Sequence, residues 1–285
     1  MSDFKQSCLI LDKPSGMSSN QALAQIKKRI NQKKAGFSGT LDPLASGLLI
    51  IFFNKATKLC SLFLGADKSY EATIKLGYVS ETGDSDGEII SVKDVPSLDE
   101  KDLRILEEKY TGVIEQVPPM YSALKHKGVR LYEYARKGIN IERDSRKVTI
   151  YNIRLDIIDK SNLALKVKCS KGTYIRTLAE QIGEDIGCGA LLSKLVRTQI
   201  NNIDLSSAVN FKDFLSSSDK DICEKHMRNV DSILDNVDAC QLSETNKIKI
   251  LNGNKVLIDT EPCEMLKIYD LKDNFLGVGE VNNNS

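Results

Sequence analysis

Histidine is scarce in this sequence, and its scarcity limits the chemistry that the chain can perform. His126 and His226 are the only histidines among the 285 residues. The seven cysteines are scattered, with no CxxC pair and no spacing typical of zinc ligands. The sequence therefore supplies almost no histidine or cysteine ligands for a metal site and almost no histidines for acid–base catalysis. If the chain is an enzyme, carboxylate, tyrosine, lysine or arginine side chains must perform the catalysis.

The sequence also lacks a long apolar run. No stretch approaches the length of about 18 apolar residues that indicates a membrane-spanning helix. The opening residues MSDFKQSCLI have no basic-then-apolar signal pattern. Hydrophobic residues make up 41% of the chain and charged residues 28%, which is ordinary for a soluble globular protein. We therefore predict a cytoplasmic protein that has reduced thiols and no membrane partner.

The net charge of +1 hides a local segregation of charge. Between Lys125 and Lys147 there are eight Lys or Arg side chains against three acidic ones, and tyrosines are interleaved with them. A second basic run lies at residues 27–34, whereas acids gather at 81–88 and 219–238. Each run alone fits a solvated helix face, but together they favour one electropositive surface suited to a phosphate backbone. The residues predicted to contact RNA are Lys125, Lys127, Arg130, Arg136 and Lys137.

The pattern of apolar and turn residues predicts alternating elements without an internal repeat. Strands are predicted at residues 8–14, 48–53, 68–78, 148–158 and 163–169. Helices are predicted at residues 18–31, 55–64, 98–110 and 173–186. Short strands are predicted near the end of the chain, at residues 255–258, 266–269 and 275–278. We therefore expect an α+β core at residues 1–234 and a small β-rich domain at residues 235–285.

One carboxylate lies in an unusual setting, the stretch AGFSGTLDPLASGLLIIFF at residues 35–53. Asp42 precedes Pro43, which disfavours helical backbone angles, and glycines flank the pair on both sides. The Asp42 side chain is thus predicted on an irregular loop braced by a buried strand, a common support for a reactive group. An arbitrary Asp-Pro pair, however, is most often simple turn chemistry.

The sequence contains, in this order, the stretches LILDKPSGMSS, AGFSGTLDPLASGLL, DKSYEATIKLG, SDGE, VPPMYSALKHKGVRLYEYARKGI and CSKGTYIRTLAEQIG. From about Cys8 to Arg197 it resembles bacterial tRNA pseudouridine synthases of the TruB family. The resemblance implies a mixed, largely antiparallel central sheet flanked by helices, a basic RNA-binding flap at about residues 118–147, and a C-terminal PUA-like domain. It also implies that the chain flips the T-loop uridine at position 55 of tRNA and isomerises it to pseudouridine. The enzyme would work as a monomer, without a cofactor, a metal or an obligatory protein partner.

The resemblance further assigns roles to single residues. Asp42, in its Gly-Thr-Leu-Asp-Pro context, matches the catalytic aspartate, and Arg176 matches the arginine that pairs with it. Tyr70 matches the tyrosine that packs on the target base, and Tyr174 lies beside Arg176 in the same motif. Lys13 begins a Lys-Pro motif that supports the active-site loop, so we expect a structural role for it.

The chemistry of the implied reaction suits these side chains. Isomerisation must cleave the N1–C1′ bond, turn the uracil and join C5 to C1′ while the base stays trapped. An ionised carboxylate can attack C1′ or C6, or it can remove a sugar proton, and the sequence leaves these routes open. Burial under a base would raise the pKa of Asp42, whereas a guanidinium partner favours the charged carboxylate. The flat ring of Tyr70 would hold the uracil, and its ring or hydroxyl could help the final loss of the C5 proton.

The sequence departs from the family pattern in two places. The family has Gly-His-Thr-Gly where this chain has Phe37 and Ser38 between the glycines, and the family's histidine reaches into the RNA near the flipped nucleotide. Phe37 can still stack on a base but cannot hydrogen-bond, so we predict a substrate-binding role; the alternative is a phenylalanine packed in the core. The chain also stops soon after Val281, which predicts an abbreviated C-terminal domain.

Two other functions fit part of the sequence. In a non-catalytic tRNA-binding or tRNA-folding protein, the basic segments would matter and Asp42 would not. A glycosidase-like enzyme would need a second acid near Asp42, where the matched motif supplies an arginine. We rank both below the synthase.

Overall fold

The structure is a computed structural model that describes Phe4, residues 6–91 and residues 93–282. Two compact units divide the chain, Met1–Met227 and Arg228–Ser285. None of the helices in the described part is both long enough and apolar enough to cross a membrane.

The elements are labelled in chain order. The strands are β1 Ser7–Lys13, β2 Ala35–Phe37, β3 Ser46–Phe53, β4 Lys68–Leu76, β5 Tyr78–Ser80, β6 Ile89–Ser91, β7 Gly112–Gln116, β8 Lys125–His126, β9 Val129–Arg130, β10 Arg146–Asp159, β11 Asn162–Cys169, β12 Ala190–Ile200, β13 Ile203–Asp204, β14 Val209–Asn210, β15 Met227–Asn229, β16 Ala239–Leu242, β17 Cys263–Asp270 and β18 Phe275–Val281. The α-helices are α1 Ser19–Arg29, α2 Cys60–Leu64, α3 Glu100–Tyr110, α4 Leu131–Ala135, α5 Ile175–Ile186, α6 Phe211–Ser216, α7 Asp219–Asp221 and α8 Glu244–Leu251. Residues Asn54–Leu59, Leu205–Ser207 and Val230–Ile233 form 3-10 turns, and Ile222–His226 forms a π-helical turn.

A mixed, largely antiparallel sheet organises the first unit. Its strands run in the order β14, β1, β3, β12, β4, β11, β10, β7. The β14–β1 and β3–β12 pairs are parallel, and the other five pairs are antiparallel. Helices pack on the sheet, so the predicted α+β fold with a mixed, largely antiparallel sheet is confirmed.

Local sequence explains the elements that carry the site. Strand β3 is apolar from end to end and almost wholly buried, as expected for a strand inside a covered sheet. Helix α1 begins at a capping box in which Ser18 and Gln21 satisfy each other's backbone N–H groups. Its apolar residues Ala22 and Ile26 then pack in one cluster with residues of β1 and β3.

Helix α5 lies against β12 at unusually short range. A Cβ atom at Gly183 would lie 2.3 Å from the backbone nitrogen of Ala190, so a side chain there would force the two elements apart. The helix ends at Gly187, whose φ of 87° is the left-handed conformation that favours glycine. This close packing fixes the position of the first turn of α5, which carries Arg176.

Two sequence predictions differ from the structure. Residues 55–64 were expected as one helix, but a 3-10 turn precedes the short helix α2. The predicted strand at residues 255–258 is wrong, because that segment is irregular and Leu257 is 81% exposed. Its apolar residues suit a strand, but Val256 and Ile258 instead line a cavity together with residues of β16 and β17.

The second unit is small and β-rich. Strand β17 pairs with β16 in parallel and with β18 in antiparallel orientation. The buried carboxylate of Asp270 accepts hydrogen bonds from the backbone N–H groups of Lys272 and Asn274, at 2.9 and 3.0 Å, and pairs with Lys247 at 2.9 Å. This network closes the β17–β18 turn.

Candidate active site

Four of the predicted site residues line one cavity of about 320 Å³ in the first unit. They are Asp42, Tyr70, Tyr174 and Arg176. Strand β4 supplies Tyr70, and the start of α5 supplies the other tyrosine and the arginine. The structure thus brings together residues from three separate stretches of sequence.

Asp42 lies on a loop that is bound on both sides. The buried hydroxyl of Ser19 accepts a hydrogen bond from the Leu41 N–H at 2.8 Å and donates one to the Leu41 carbonyl at 3.0 Å. The backbone N–H of Gly16 donates to the Pro43 carbonyl at 2.8 Å. The Asp42 side chain itself stays 39% exposed. A reactive carboxylate is therefore accessible on a rigid support.

Arg176 is the fixed partner of Asp42. Its side chain is 5% exposed, and Nη2 lies 2.9 Å from Oδ2 of Asp42. Nη1 donates to the Thr82 carbonyl at 2.6 Å, and Nη2 also donates to the Tyr121 carbonyl at 2.7 Å. A guanidinium held in this way presents its positive charge to the Asp42 carboxylate.

Sequence analysis missed two carboxylates beside this pair. Oδ2 of the buried Asp84 lies 3.6 Å from Nε of Arg176, and Asp84 also accepts a hydrogen bond from the Thr82 hydroxyl at 2.6 Å. Burial, together with the negative charge of Asp84, raises the pKa of Asp86. Both belong to the stretch DSDGE. Its SDGE part contributed to the family resemblance, but no site residue was predicted there.

Tyr70 lies next to a second buried arginine that the sequence analysis did not single out. Arg197, on β12, is the cross-strand partner of Tyr70 on β4, and both line the cavity. Burial raises the pKa of the Tyr70 phenol, and the neighbouring Arg197 guanidinium opposes the rise. The only signal in the sequence was that the family resemblance extended to Arg197.

Tyr174 is held through its backbone. The buried Gln116 side chain accepts a hydrogen bond from the Tyr174 N–H at 3.0 Å and donates one to the Tyr174 carbonyl at 3.2 Å. Burial raises the pKa of the Tyr174 phenol, while the Ser122 hydroxyl and Arg176 oppose the rise. Gln116 carried no signal in the sequence, because it lies in an ordinary strand far from the motif.

A second cavity of about 410 Å³ adjoins the first and shares Asp42 and Arg176 with it. Arg130, Tyr132 and Arg136, from the predicted basic flap, line this second cavity. The guanidinium carbons of the two arginines lie 5.9 and 5.3 Å from the Tyr132 ring centre. The other predicted RNA contacts, Lys125, Lys127 and Lys137, are exposed and are not among the residues described as lining either cavity.

Phe37 and Lys13 are not among the residues described as lining the two cavities. Phe37, on β2, is half-buried opposite Ile51 and packs against the apolar cluster of α1, and it is not among the residues described as lining either cavity. The wholly buried Lys13 donates from Nζ to the carbonyls of Pro14, at 2.8 Å, and Met17. Burial lowers the pKa of Lys13 to about 8.

Comparisons with known proteins agree with this arrangement. Residues 27–175 match the family model described as TruB family pseudouridylate synthase (N terminal domain), and residues 239–285 match Pseudouridine synthase II TruB, C-terminal. The chain is 43% identical over 252 residues to tRNA pseudouridine synthase B of Chromohalobacter salexigens, covering 88% of this chain and 82% of the relative. It is 45% identical over 268 residues to tRNA pseudouridine synthase B of Burkholderia lata, covering 92% and 83%.

Solved structures show the same fold at lower identity. A chain of an H/ACA ribonucleoprotein bound to a substrate RNA containing 2′-deoxyuridine matches with a TM-score of 0.72 and 22% identity, over 98% of this chain and 78% of that one. A chain of a Cbf5–Nop10–Gar1 complex matches with a TM-score of 0.72 and 23% identity, over 98% and 79%.

Proposed function

Because the chain belongs to the TruB family of pseudouridylate synthases, we propose that its Asp42 cavity isomerises a uridine of tRNA, at position 55 in the T-loop, to pseudouridine. The relatives are named as synthases, and no observation favours a non-catalytic RNA-binding protein. The enzyme would act as a monomer in the cytoplasm.

The single observation that carries the assignment of the site is the pair of Asp42 and Arg176. An accessible carboxylate lies 2.9 Å from a guanidinium that is itself buried and bonded to two carbonyls. This geometry supports an aspartate that is correctly oriented and open to a nucleoside. A glycosidase pair would need a second free acid; Asp84 is buried and faces Arg176, and the relatives that match this chain are named as synthases.

Each of these cavity residues has a separate role in the proposed reaction. Asp42 acts on the nucleoside, as a nucleophile at C1′ or C6 or as a base toward the sugar. Tyr70 holds the flipped uracil against its ring, and Tyr174 closes the wall beside Arg176. Each route places negative charge on a uracil carbonyl while the N1–C1′ bond is broken, and the pyrimidine then turns and bonds through C5.

Arg130 and Arg136 are placed to hold the RNA that leads into the cavity. They line the adjoining cavity on either side of Tyr132, and a guanidinium can bind a phosphate while an aromatic ring stacks on a base. The flap at residues 118–147 would thus hold the T-arm while the target uridine reaches Asp42.

Tritium release tests the proposed function. T-arm RNA with tritium at C5 of its uridines should lose label when it is mixed with the purified chain, since the new bond forms at C5. Replacing the target uridine by cytidine should abolish the release. If intact T-arm RNA and full-length tRNA both retain their label under single-turnover conditions, the proposed function is wrong.

A further inference from the structure

Arg197 is a buried cation beside Tyr70. None of the steps proposed above uses Arg197. It lies on β12, 1% exposed, in register with Tyr70 on the neighbouring strand β4. Side chains of cross-strand partners lie on the same side of the sheet, and here both line the Asp42 cavity. The pairing therefore places a guanidinium next to the phenol that is proposed to hold the uracil.

The position of Arg197 is strongly constrained. Nε donates to the Leu48 carbonyl at 2.8 Å, and Nη2 donates to the Gly39 carbonyl at 3.1 Å. Its backbone lies so close to β3 that a Cβ atom at Gly47 would be 2.4 Å from the Arg197 carbonyl oxygen. The guanidinium thus has one fixed orientation, between the loop that carries Asp42 and the ring of Tyr70.

The charge of Arg197 has an unusual partner. Burial lowers the pKa of Arg197, and the neighbouring Tyr70 phenol opposes this change. Among the described residues no carboxylate forms an ion pair with Arg197. A buried cation without an anionic partner lowers the stability of the folded protein. A role in the reaction would account for its presence beside the cavity.

We propose that Arg197 is a positioning residue that donates a hydrogen bond to the Tyr70 phenol oxygen, so that the phenol's own O–H points into the cavity and donates to a uracil carbonyl. A phenol that accepts a hydrogen bond from a cation becomes a stronger donor. That donor would stabilise the negative charge that every route develops on a uracil carbonyl. The inference rests on the proposed isomerase function.

A double-mutant cycle under single-turnover conditions tests the coupling. We expect Arg197→Met to lower the isomerisation rate on T-arm RNA by at least about tenfold, and Tyr70→Phe by about a hundredfold, as for loss of one donor to a developing charge. In the Arg197→Met background, Tyr70→Phe should cost no more than about tenfold, because part of the donor effect is already lost and the double variant should be about as slow as Tyr70→Phe alone. The control is Lys194→Met, which removes an exposed cation from the same strand and should leave the rate within twofold of wild type.

The outcomes separate this inference from the function on which it rests. A wild-type chain that releases no tritium contradicts the proposed function. If the wild type is active, the inference is wrong when Arg197→Met retains full rate, or when Tyr70→Phe costs the same factor with and without Arg197, which is the result of a purely structural role. If Arg197→Met does not fold, the same cycle is measured with Arg197→Lys, because lysine retains the charge but loses the forked donor geometry. A Tyr70→Phe effect that is undiminished in this background overturns the inference. A Tyr70→Phe effect that is severalfold smaller supports it.

Discussion

At the residue scale, the site depends on a contrast between Asp42 and its partner. The carboxylate is 39% exposed, whereas the Arg176 side chain that faces it is 5% exposed and held by two carbonyls. The substrate therefore meets the aspartate and not the arginine. A substitution at Asp42 should consequently affect chemistry more than folding, since Arg176 keeps its two carbonyl partners when the carboxylate is replaced.

Asp42→Asn is expected to abolish isomerisation and to leave tRNA binding intact. The amide has the same shape as the carboxylate but cannot act as the nucleophile or the base. Single-turnover tritium release and a filter-binding titration measure the two effects, with Asp156→Asn, an exposed acid paired with Arg154, as the control. Turnover above a few per cent of wild type in a pure preparation would contradict the catalytic role.

Phe37→Ala is expected to lower stability more than activity. The ring packs against the α1 cluster, so its loss should cost roughly 2 kcal/mol of unfolding free energy, below the 3–5 kcal/mol of a fully buried phenylalanine. The melting temperature and the single-turnover rate of the folded fraction check this, with Phe37→His as the comparison. A variant that melts like wild type but reacts at least tenfold more slowly would instead support the stacking role.

At the element scale, the flap brings positive charge to the cavity through two short elements. The β8–β9 hairpin ends at Arg130, and helix α4 ends just before Arg136, so the two guanidinium groups flank the ring of Tyr132. The acids Asp84 and Asp86 line the same cavity. The second cavity therefore carries both positive and negative side chains.

Replacing Arg130, Arg136 and Lys137 together by Ala should weaken tRNA binding and flatten its salt dependence. Each lost phosphate contact should reduce the slope of log affinity against log salt by about 0.7 to 0.9. Binding titrations at several salt concentrations measure the slope, and Lys160→Ala with Lys168→Ala, two exposed lysines of the β10–β11 hairpin, provide the control. An unchanged slope would place the RNA elsewhere.

At the scale of the whole molecule, two buried lysines couple the stability of the first unit to pH. Lys13 and Lys68 both donate to backbone carbonyls, and burial lowers the pKa of each to about 8. Below pH 8 both are protonated in the folded protein as well as in the unfolded chain, so the full cost of burying two cations is present. Between about pH 8 and the ordinary lysine pKa of 10.5, the unfolded chain binds more protons, so stability rises with pH.

The unfolding free energy should therefore be higher at pH 9 than at pH 7. Each lysine should contribute about 1 kcal/mol to the rise. Above about pH 9 the rise should become shallower, because burial raises the pKa of Cys169 to about 11 and the unfolded thiol loses its proton first, which offsets part of the lysine effect. Urea titrations at pH 7, 8 and 9 test this, and Lys68→Met should lose about half of the rise. A flat or falling profile in the wild type would show that the two lysines are not buried as charged groups.

The sequence by itself determined what depends on neighbours along the chain. The Ser18 capping box starts α1, the apolar run of β3 produces a buried strand, and Pro43 places Asp42 on a loop. The motifs also resemble those of the TruB family, and that resemblance identified the four cavity residues.

The tertiary structure alone decided which distant residues meet. Asp84 reaches Arg176, Gln116 holds Tyr174, and Arg197 faces Tyr70 only after strands from different parts of the chain are paired. Likewise, Phe37 lies against the α1 cluster, and the apolar segment at residues 255–258 stays irregular. Local periodicity states which face of an element is apolar, but not which element covers it, because that choice depends on contacts between residues far apart in sequence.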